Sequence, residues 1–160
     1  MKRMCVVLTA AMAAAGWATP SSAQSFGNAV AVSGDQIIVG EPVYEMRSGV
    51  VYVFDRDGNG DWAQSQMLEP SDASAANRFG ISLAAQDDLL LVSATRVDDG
   101  TGAVYTFEND GGTWRETGRI VTDDRTPADS LGSGLDIDGD WIAIGTIAQN
   151  SARGAVYTFR

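Results

Sequence analysis

The hexapeptide GAVYTF occupies residues Gly102–Phe107, and the same six letters return at Gly154–Phe159. A looser copy, GVVYVF, occupies Gly49–Phe54. Valine, tyrosine and phenylalanine favour β-strands, because their side chains pack well on a pleated surface. Recurrence of one motif at a regular spacing is typical of repeat proteins. We therefore predict a chain built from copies of one β-rich unit.

A second signature sets the boundaries of the copies. The pair Phe26–Gly27 recurs as Phe79–Gly80 and as Leu131–Gly132, at spacings of 53 and 52 residues. Each hexapeptide follows its pair at the same distance, so the copies align without a gap. We predict three repeats, at residues 26–78, 79–130 and 131–160.

Each repeat is predicted to contain four short strands. In the first copy they occupy roughly residues 28–32, 36–40, 50–54 and 62–68, with turn residues between them. The strands are apolar on consecutive positions, which indicates that both faces of each sheet are covered. Four-stranded blades stacked around an axis provide that cover, and repeats of about 40–55 residues suit propeller blades. The predicted fold is all-β, with about two and three-quarter blades of an incomplete propeller.

The first 23 residues are predicted to be a signal peptide. Lys2 and Arg3 precede an apolar run from Cys5 to Gly16, and small residues lead to a cleavage site between Ala23 and Gln24. As a helix this run would reach only about 18 Å, less than the roughly 30 Å of a hydrocarbon core. We therefore expect residues 24–160 to be secreted, periplasmic or at the cell surface, with no membrane insertion after cleavage.

The composition excludes several classes of function. The net charge is −10, and removing Lys2 and Arg3 with the signal peptide makes it −12, which disfavours nucleic acid and anionic lipid surfaces. Residues 24–160 contain no His, Lys or Cys, and these residues supply the commonest general bases and nucleophiles. We predict that the protein is not an enzyme. A pair of carboxylates acting on glycosides is the catalytic alternative that the sequence leaves open.

The order of these signatures resembles a known family. The Phe-Gly pair, VAVSGDQIIVGEP at residues 30–42, the hexapeptide and WAQSQML at residues 62–68 look like the FG-GAP repeat of integrin α-chain propellers. They are more similar still to the short-hairpin FG-GAP repeats of exported bacterial proteins. The resemblance covers residues 26–160 and implies a β-propeller with an extracellular binding or adhesion role and no chemistry. The Gly-Ala-Pro signature itself is reduced to GEP at residues 40–42.

The turn DRDGNGD is the strongest candidate for a metal site. Its possible ligands are Asp55, Asp57, Asn59 and Asp61. The spacing matches the first half of an EF-hand calcium loop, but Gln66 stands where a bidentate Glu would complete the loop. The favoured interpretation is a polar turn between two outer strands. A Ca²⁺ site is the alternative, and no other cofactor is predicted.

Binding is predicted on loops at one end of the blades. In an up-and-down blade, the connections from the second strand to the third and from the fourth to the next blade emerge on one rim. These are the longer loops, at residues 41–48, 69–78, 94–101, 122–130 and 146–153. Aromatic and guanidinium groups favour interfaces, so the candidate contact residues are Tyr44, Met46, Arg47 and Arg96. The predicted partner is a protein or a glycan, and a passive structural segment without a ligand is the alternative.

Both ends of the blade array are predicted to expose apolar side chains. Propellers have about four to eight blades, whereas the third copy reaches Arg160 after three strands. In that copy Trp141, Ile142 and Ile144 are as apolar as their counterparts in the other repeats. Two interpretations follow: the chain is the front portion of a longer propeller protein, or copies join head to tail as a homo-oligomer.

Overall fold

The computed structural model describes residues 25–42, 48–74, 76–149 and 153–160. These residues form three antiparallel sheets of four, four and three strands, which we call blades 1, 2 and 3. Blade 1 contains β1 (Ala29–Ser33), β2 (Gln36–Glu41), β3 (Val50–Arg56) and β4 (Trp62–Leu68). Blade 2 contains β5 (Phe79–Gln86), β6 (Leu89–Ala94), β7 (Ala103–Asp110) and β8 (Thr113–Ile120). Blade 3 contains β9 (Gly134–Asp138), β10 (Trp141–Thr146) and β11 (Ala155–Phe159).

The all-β prediction is confirmed, and within each blade every strand pairs with the strands that precede and follow it along the chain. The strands of blade 1 begin and end within two residues of their predicted positions. The short helical segment α1 (Val97–Gly100) is a single turn in which Asp98 and Asp99 have left-handed φ values of 52° and 58°. The described residues include no helix that is long and apolar enough to cross a membrane.

The larger core cluster lies between blades 1 and 2. Blade 1 contributes Ile38, Val51, Val53 and Leu68, and blade 2 contributes Phe79, Leu90, Val92, Tyr105 and Phe107. Phe79 is fully buried, and its ring meets those of Tyr105 and Phe107 edge-on at centroid distances of 5.5 and 6.1 Å. Aromatic pairs in this geometry stabilise a core beyond the area that they bury. The aromatic residues of two repeated signatures therefore form the centre of this interface.

A smaller core cluster lies between blades 2 and 3. Leu91 and Val104 of blade 2 are buried with Leu131 and Ile144, and Ile142 packs against them. The sequence predicts that Ile142 and Ile144 lie with Trp141 at the open end, but both residues pack in this core instead. Alternate residues of a strand point to opposite faces, and these two point towards blade 2.

Glycines allow blades 1 and 2 to approach each other closely. A Cβ atom on Gly40 would overlap the carbonyl oxygen of Gly80, and one on Gly49 would overlap the carbonyl oxygen of Phe79. Only glycine fits where two backbones come this close. The Phe-Gly pair of blade 2 thus lies directly against two glycines of blade 1.

The interface between blades 2 and 3 repeats this arrangement. A Cβ atom on Gly102 would lie 2.5 Å from the backbone N and O of Leu131, and the two residues form an isolated parallel bridge. A Cβ atom on Gly132 would lie 2.5 Å from the Cβ of Ser93. The repeated Gly residues therefore recur because each blade lies against the backbone of the next.

Candidate binding rim

Within the described residues, backbone hydrogen bonds join four of the five loops that are predicted to share one rim. The N–H of Arg96 donates to the carbonyl of Asn77 at 3.2 Å, and the N–H of Ser130 donates to the carbonyl of Gly100 at 2.9 Å. The N–H of Ile147 donates to the carbonyl of Asp129 at 3.3 Å. These bonds join the loops of blade 1, blade 2 and blade 3 in series. We call this surface the loop rim and define it by the described residues 69–74, 76–78, 94–101, 121–130 and 146–149.

An ion-pair network joins three loops of the rim to β8. Arg119, near the end of β8, reaches Asp72 at 3.2 Å and Asp98 at 2.5 Å. Arg125 approaches the same carboxylate of Asp98 at 3.6 Å. The carboxylates are about half exposed, so each pair contributes little to stability and weakens as salt increases. The network mainly fixes the positions of these three loops relative to β8.

A tyrosine–carboxylate hydrogen bond holds each of the two loops that connect successive blades to the blade that follows it. The hydroxyl of Tyr105 donates to Asp72 Oδ1 at 2.6 Å, and that of Tyr157 donates to Asp124 Oδ1 at 2.7 Å. Asp72 and Asp124 are 52 residues apart, as are Tyr105 and Tyr157. The bond is thus a repeated feature of blades 2 and 3. In blade 1 the hydroxyl of Tyr52 donates instead to Glu41 Oε2 at 2.9 Å.

These hydrogen bonds shift the pKa values of their partners. The bond from Tyr157 is the largest cause of the lowered pKa of Asp124. Burial raises the pKa of Tyr105, and the hydrogen bond to Asp72 and the charge of that carboxylate add to the effect. For Tyr157 burial is again the largest cause of a raised pKa, followed by the bond to Asp124. The lowered pKa of Asp124 favours its ionised form, and the raised pKa values of Tyr105 and Tyr157 favour the protonated phenols.

Residues with left-handed backbone angles concentrate on the loop rim. Ala76 and Ala128 have φ values of 66° and 69°, and they occupy equivalent positions in successive repeats. Arg78 and Ser130 form a second equivalent pair, both with φ of 58°. Residues other than glycine adopt these angles at a cost of order 1–3 kcal/mol, and they do so where the surrounding structure holds them. The rim loops are therefore held in defined conformations.

The structure places the predicted contact residues as follows. Arg96 lies on the loop rim and is exposed, and its guanidinium forms no ion pair with the part of the chain that the structure describes. Tyr44, Met46 and Arg47 lie outside the described residues. The rim residues that sequence reasoning missed are Asp72, Asp98 and Asp124, and it also missed Arg119 of β8, which pairs with the first two. Only Asp72 and Asp124 left a signal, because their spacing equals that of the repeat.

The predicted metal ligands lie on the opposite rim, where β3 turns into β4. Asp57 Oδ1 accepts the N–H groups of Asn59 and Asp61, each at 2.8 Å, and the first cause of its lowered pKa is the bond from Asp61. Asp55 Oδ1 accepts a hydrogen bond from Gln36 at 2.7 Å. Within the described ranges, three or more His, Cys, Asp or Glu residues nowhere come close enough to hold a metal ion. The contacts account for a polar turn, and the calcium site stays a prediction.

Gln36 organises the same opposite rim between blades 1 and 2. Its Oε1 accepts hydrogen bonds from Trp114 Nε1 at 2.8 Å and from Asn109 Nδ2 at 3.3 Å. Its Nε2 donates to Asp55 and to the carbonyl of Gly112 at 3.2 Å. Both donor hydrogens and both acceptor lone pairs of the side-chain amide therefore have hydrogen-bond partners. Gln36 is a structural residue that ties two blades together, although it borders an open groove of about 660 Å³.

Comparison with known protein families identifies the repeat. The family model described as FG-GAP repeat matches residues 20–54, 62–107 and 114–159. The chain belongs to the FG-GAP repeat family. The second and third matches begin at β4 and β8, so each family unit joins the outer strand of one blade to three strands of the next. A comparison of the chain with curated proteins found no match.

Membership in this family accounts for the architecture. FG-GAP repeats form propeller-type modules that often bind other molecules, and propellers of this family are generally non-catalytic. Each of the three FG-GAP matches contains one copy of the hexapeptide signature. The Phe-Gly pair and the hexapeptide are the positions at which one blade touches the next.

Proposed function

We propose that this FG-GAP repeat chain is an exported, non-catalytic binding module that contacts a protein or glycan partner through the loop rim. The observation that carries the proposal is the held conformation of the rim loops around Arg96. This cation is exposed on a surface that is otherwise fixed by backbone hydrogen bonds, ion pairs and left-handed residues.

Held loops favour binding because less conformational freedom is lost when a partner arrives. Ala76, Arg78, Ala128 and Ser130 keep strained backbone angles, and such strain concentrates at functional surfaces. The strands beneath the rim repeat closely, whereas the rim sequences differ among the three copies. A constant framework with variable loops is how many folds carry specific binding sites.

The charges of the rim favour a partner with polar groups of both kinds. Arg119 and Arg125 are occupied by Asp72 and Asp98. Arg96 offers its guanidinium fork, which suits carboxylates and the hydroxyl groups of sugars. Asp99 is exposed two residues beyond α1's start, so a donor and an acceptor stand close together in the chain. A partner with both a hydrogen-bond acceptor and a donor would fit this surface.

Two carboxylates of the chain, Asp57 and Asp124, are unsuited to the acid role of a glycosidase. A glycosidase needs a carboxylic acid whose pKa is raised, so that it keeps its proton near neutral pH. Hydrogen bonds lower the pKa of Asp57 and of Asp124. Both groups are thereby held as carboxylates that accept hydrogen bonds.

Export is proposed from residues 1–23, which lie outside the described residues. Their basic start, apolar run and small residues before Gln24 have the pattern of a cleaved signal peptide. N-terminal sequencing of the protein recovered from the periplasm or the culture medium would test this. A start at Gln24 is the expected result, and an intact Met1 in a cytoplasmic fraction would contradict it.

The test of the rim compares two substitutions that each remove one exposed arginine. Arg96→Ala changes the loop rim, and Arg115→Ala changes an exposed position of β8. The wild type and both variants would be labelled and applied to a glycan microarray and to immobilised envelope and host-surface proteins. We expect Arg96→Ala to lose about tenfold or more in affinity, as a charged hydrogen bond is worth roughly 1.5–3 kcal/mol. Arg115→Ala should bind like the wild type.

Two outcomes would contradict the proposal. Equal losses in the two variants would mean that the loop rim is not the contact surface. No saturable binding of the wild type to any probe would support a passive structural segment instead. Tyr44→Ala and Arg47→Ala extend the same test to the positions predicted from the sequence alone.

A further inference from the structure

The two end faces of the blade array expose apolar side chains. Ala31 packs against the core between blades 1 and 2, so its neighbours Val30 and Val32 point away from blade 2. These valines are 57% and 63% exposed. We call this surface, together with Phe26 and Gly27, the blade 1 end face. Exposed apolar patches of this kind mark interaction sites.

The opposite end of the array, on blade 3, carries two glycines whose counterparts in blade 1 contact the following blade. Ile144 packs towards blade 2, so Gly145 beside it points the other way. Gly145 is the counterpart of Gly40, and Gly154 is the counterpart of Gly49. A Cβ atom added to Gly145 would meet nothing closer than the backbone N of Gly134 at 3.6 Å. We call the surface formed by Trp141, Gly145, Gly154 and Val156 the blade 3 end face.

The exposure of the blade 3 end face contrasts with that of its counterparts. Val156 is 70% exposed, whereas Val51 and Val104 at the same repeat position are fully buried by the following blade. Trp141 is 53% exposed. On blades 1 and 2 the equivalent face is covered by the following blade, through Phe79–Gly80 and Leu131–Gly132 respectively.

The blade 1 end face carries the complementary pair. Phe26 lies on Tyr52 and Phe54 at centroid distances of 5.6 and 6.3 Å, the arrangement that Phe79 adopts inside the chain. Gly27 has φ of 85°, the same value as Gly80. A Cβ atom added to Gly27 would meet no atom within 4 Å. Phe26 and Gly27 thus have the conformation of Phe79 and Gly80, but no blade in the described part of the chain covers Gly27.

A repeated polar contact at the hairpin end of the blades extends the match. Ser33 Oγ of blade 1 donates to the carbonyl of Asp87 in blade 2 at 2.7 Å. One repeat later, Gln86 Oε1 accepts the N–H of Gly139 in blade 3 at 3.1 Å. The next residue in this series is Asp138, which is exposed on blade 3. Its carboxylate can accept the N–H of Gly34, the blade 1 counterpart of Asp87 and Gly139.

Charge favours the same pairing. Asn109 of blade 2 crosses to Gln36 of blade 1, and the counterparts of these two residues are Arg56 in blade 1 and Trp141 in blade 3. A blade 1 seated on blade 3 would thus bring the exposed Arg56 close to Asp138 and to Trp141, whose ring already holds the guanidinium of Arg160 at 5.5 Å from its centroid. An ion pair between Arg56 and Asp138 is favourable in that arrangement.

We propose that the blade 1 end face of a second copy of this chain docks on the blade 3 end face, head to tail. Phe26 and Gly27 of one copy lie against Gly154 and Gly145 of the other, as Phe79 and Gly80 lie against Gly49 and Gly40. The interface continues the contact that already joins the blades within one chain. It is heterologous, so copies form a closed ring or a longer array. This inference concerns the end faces and does not depend on the loop rim.

The test measures the mass of the purified protein by light scattering over a concentration series. We expect the wild type to form dimers or larger head-to-tail species as the concentration rises. Gly145→Val places a branched side chain on the blade 3 end face, where the chain itself leaves room. Val32→Arg places a charge on the blade 1 end face. Each variant alone should be monomeric, with association weakened about tenfold or more.

Mixing the two variants provides the sharpest outcome. Val32→Arg keeps an intact blade 3 end face, and Gly145→Val keeps an intact blade 1 end face. An equimolar mixture should therefore form a one-to-one complex that grows no further. Thr113→Arg, a charge added at an exposed position of the central blade, should assemble like the wild type. Circular dichroism melts would verify that each variant is folded, and Val156→Arg replaces Gly145→Val if that variant is not.

Three results would overturn the proposal. A wild type that is folded and monomeric throughout the series shows that a second copy does not cover these faces. Assembly of folded Gly145→Val and Val32→Arg at wild-type concentrations shows that association uses another surface. A mixture of the variants that stays monomeric, while the wild type assembles, shows that the two end faces do not meet head to tail.

Discussion

The two copies of GAVYTF have the same six residues and different surroundings. In Gly102–Phe107 the side chains of Val104 and Tyr105 are fully buried, and that of Phe107 is 2% exposed. In Gly154–Phe159 the corresponding valine is 70% exposed, and Tyr157 and Phe159 are only partly buried. Both copies nevertheless form a strand with the same pairing to the preceding strand. Local sequence thus sets the strand and its register, whereas neighbouring elements set how much each residue contributes to stability.

The reason for the difference is the number of neighbours. Strand β7 lies between β6 and β8 in its sheet, and blade 2 lies between blades 1 and 3. Among the described residues β11 pairs with β10 alone, and one face of its blade is exposed. Identical substitutions in the two copies therefore separate what the hexapeptide contributes by itself from what its surroundings add.

Removal of the phenylalanine ring should give the largest difference between the copies. Phe107→Ala empties a site at the centre of the core between blades 1 and 2, which costs about 3–5 kcal/mol in large-to-small substitutions. Phe159→Ala removes a ring that is partly exposed, so we expect less than about half that loss. Chemical denaturation of both variants and the wild type measures the two changes in the free energy of unfolding.

The comparison would fail if the two alanine variants lost equal stability. That result would mean that Phe159 is as well covered in solution as Phe107. Repeating the Phe159→Ala measurement at low and high protein concentration would then distinguish cover by a second copy from cover within one chain, because only the former depends on concentration.

Much of the strand pattern could be predicted from the sequence. Turn residues such as Gly34, Asp35 and Gly58 interrupt runs of β-branched residues, and local chemistry of this kind is readable without a fold. The alignment of Phe26, Phe79 and Leu131 also predicted which positions are equivalent. What the alignment could not give is the face on which each residue lies, so Ile142 and Ile144 were grouped with the exposed end.

The contacts of the rim were predicted only in part. The loops that form it were identified from their length, and Arg96 lies on it as expected. The bond between Tyr105 and Asp72 joins blade 2 to the loop that precedes it, and only the recurrence of both residues at Tyr157 and Asp124 could have indicated it. Gln36 has no counterpart of its kind, since Leu89 and Trp141 stand at its repeat positions, and its partner Trp114 is 78 residues away. Contacts of that sort follow from the packing of blades and leave no pattern in the sequence.

Truncation of the valines should give the next largest difference. Val104→Ala deletes two buried methyl groups in the core between blades 2 and 3 and should cost about 1–2 kcal/mol. Val156→Ala changes a residue that is 70% exposed and should stay within about 0.5 kcal/mol of the wild type. Thermal melts at a low protein concentration provide the comparison. If Val156→Ala were less stable than the wild type at high protein concentration, and the difference disappeared when both proteins were diluted, this valine would be covered by another copy.

Removal of the tyrosine hydroxyls should give a smaller difference. Tyr105→Phe leaves Asp72 without the 2.6 Å hydrogen bond from a buried ring, which should cost about 1 kcal/mol. Tyr157→Phe removes the equivalent bond to Asp124 at an exposed site, where water replaces the hydroxyl and the loss should be smaller. Equal losses, measured by urea denaturation at pH 7, would show that burial of the ring does not matter to this bond.

The smallest expected effect is a change in how stability depends on pH. The hydrogen bond from Tyr157 is the largest cause that lowers the pKa of Asp124 below its ordinary value of 3.8. Because the folded-state pKa lies below that of the unfolded chain, Asp124 stabilises the fold above the unfolded-state pKa, and this contribution is lost as pH falls through the folded-state pKa. Tyr157→Phe should therefore raise the pKa of Asp124 towards 3.8, and its stability should converge on that of the wild type in acid. Carboxyl-carbon NMR titration measures the pKa directly, with Asp57 as an internal control, because its own lowered pKa depends on the N–H of Asp61. If the pKa of Asp124 did not move in Tyr157→Phe, the repeated tyrosine bond would not be what holds this carboxylate in its ionised form.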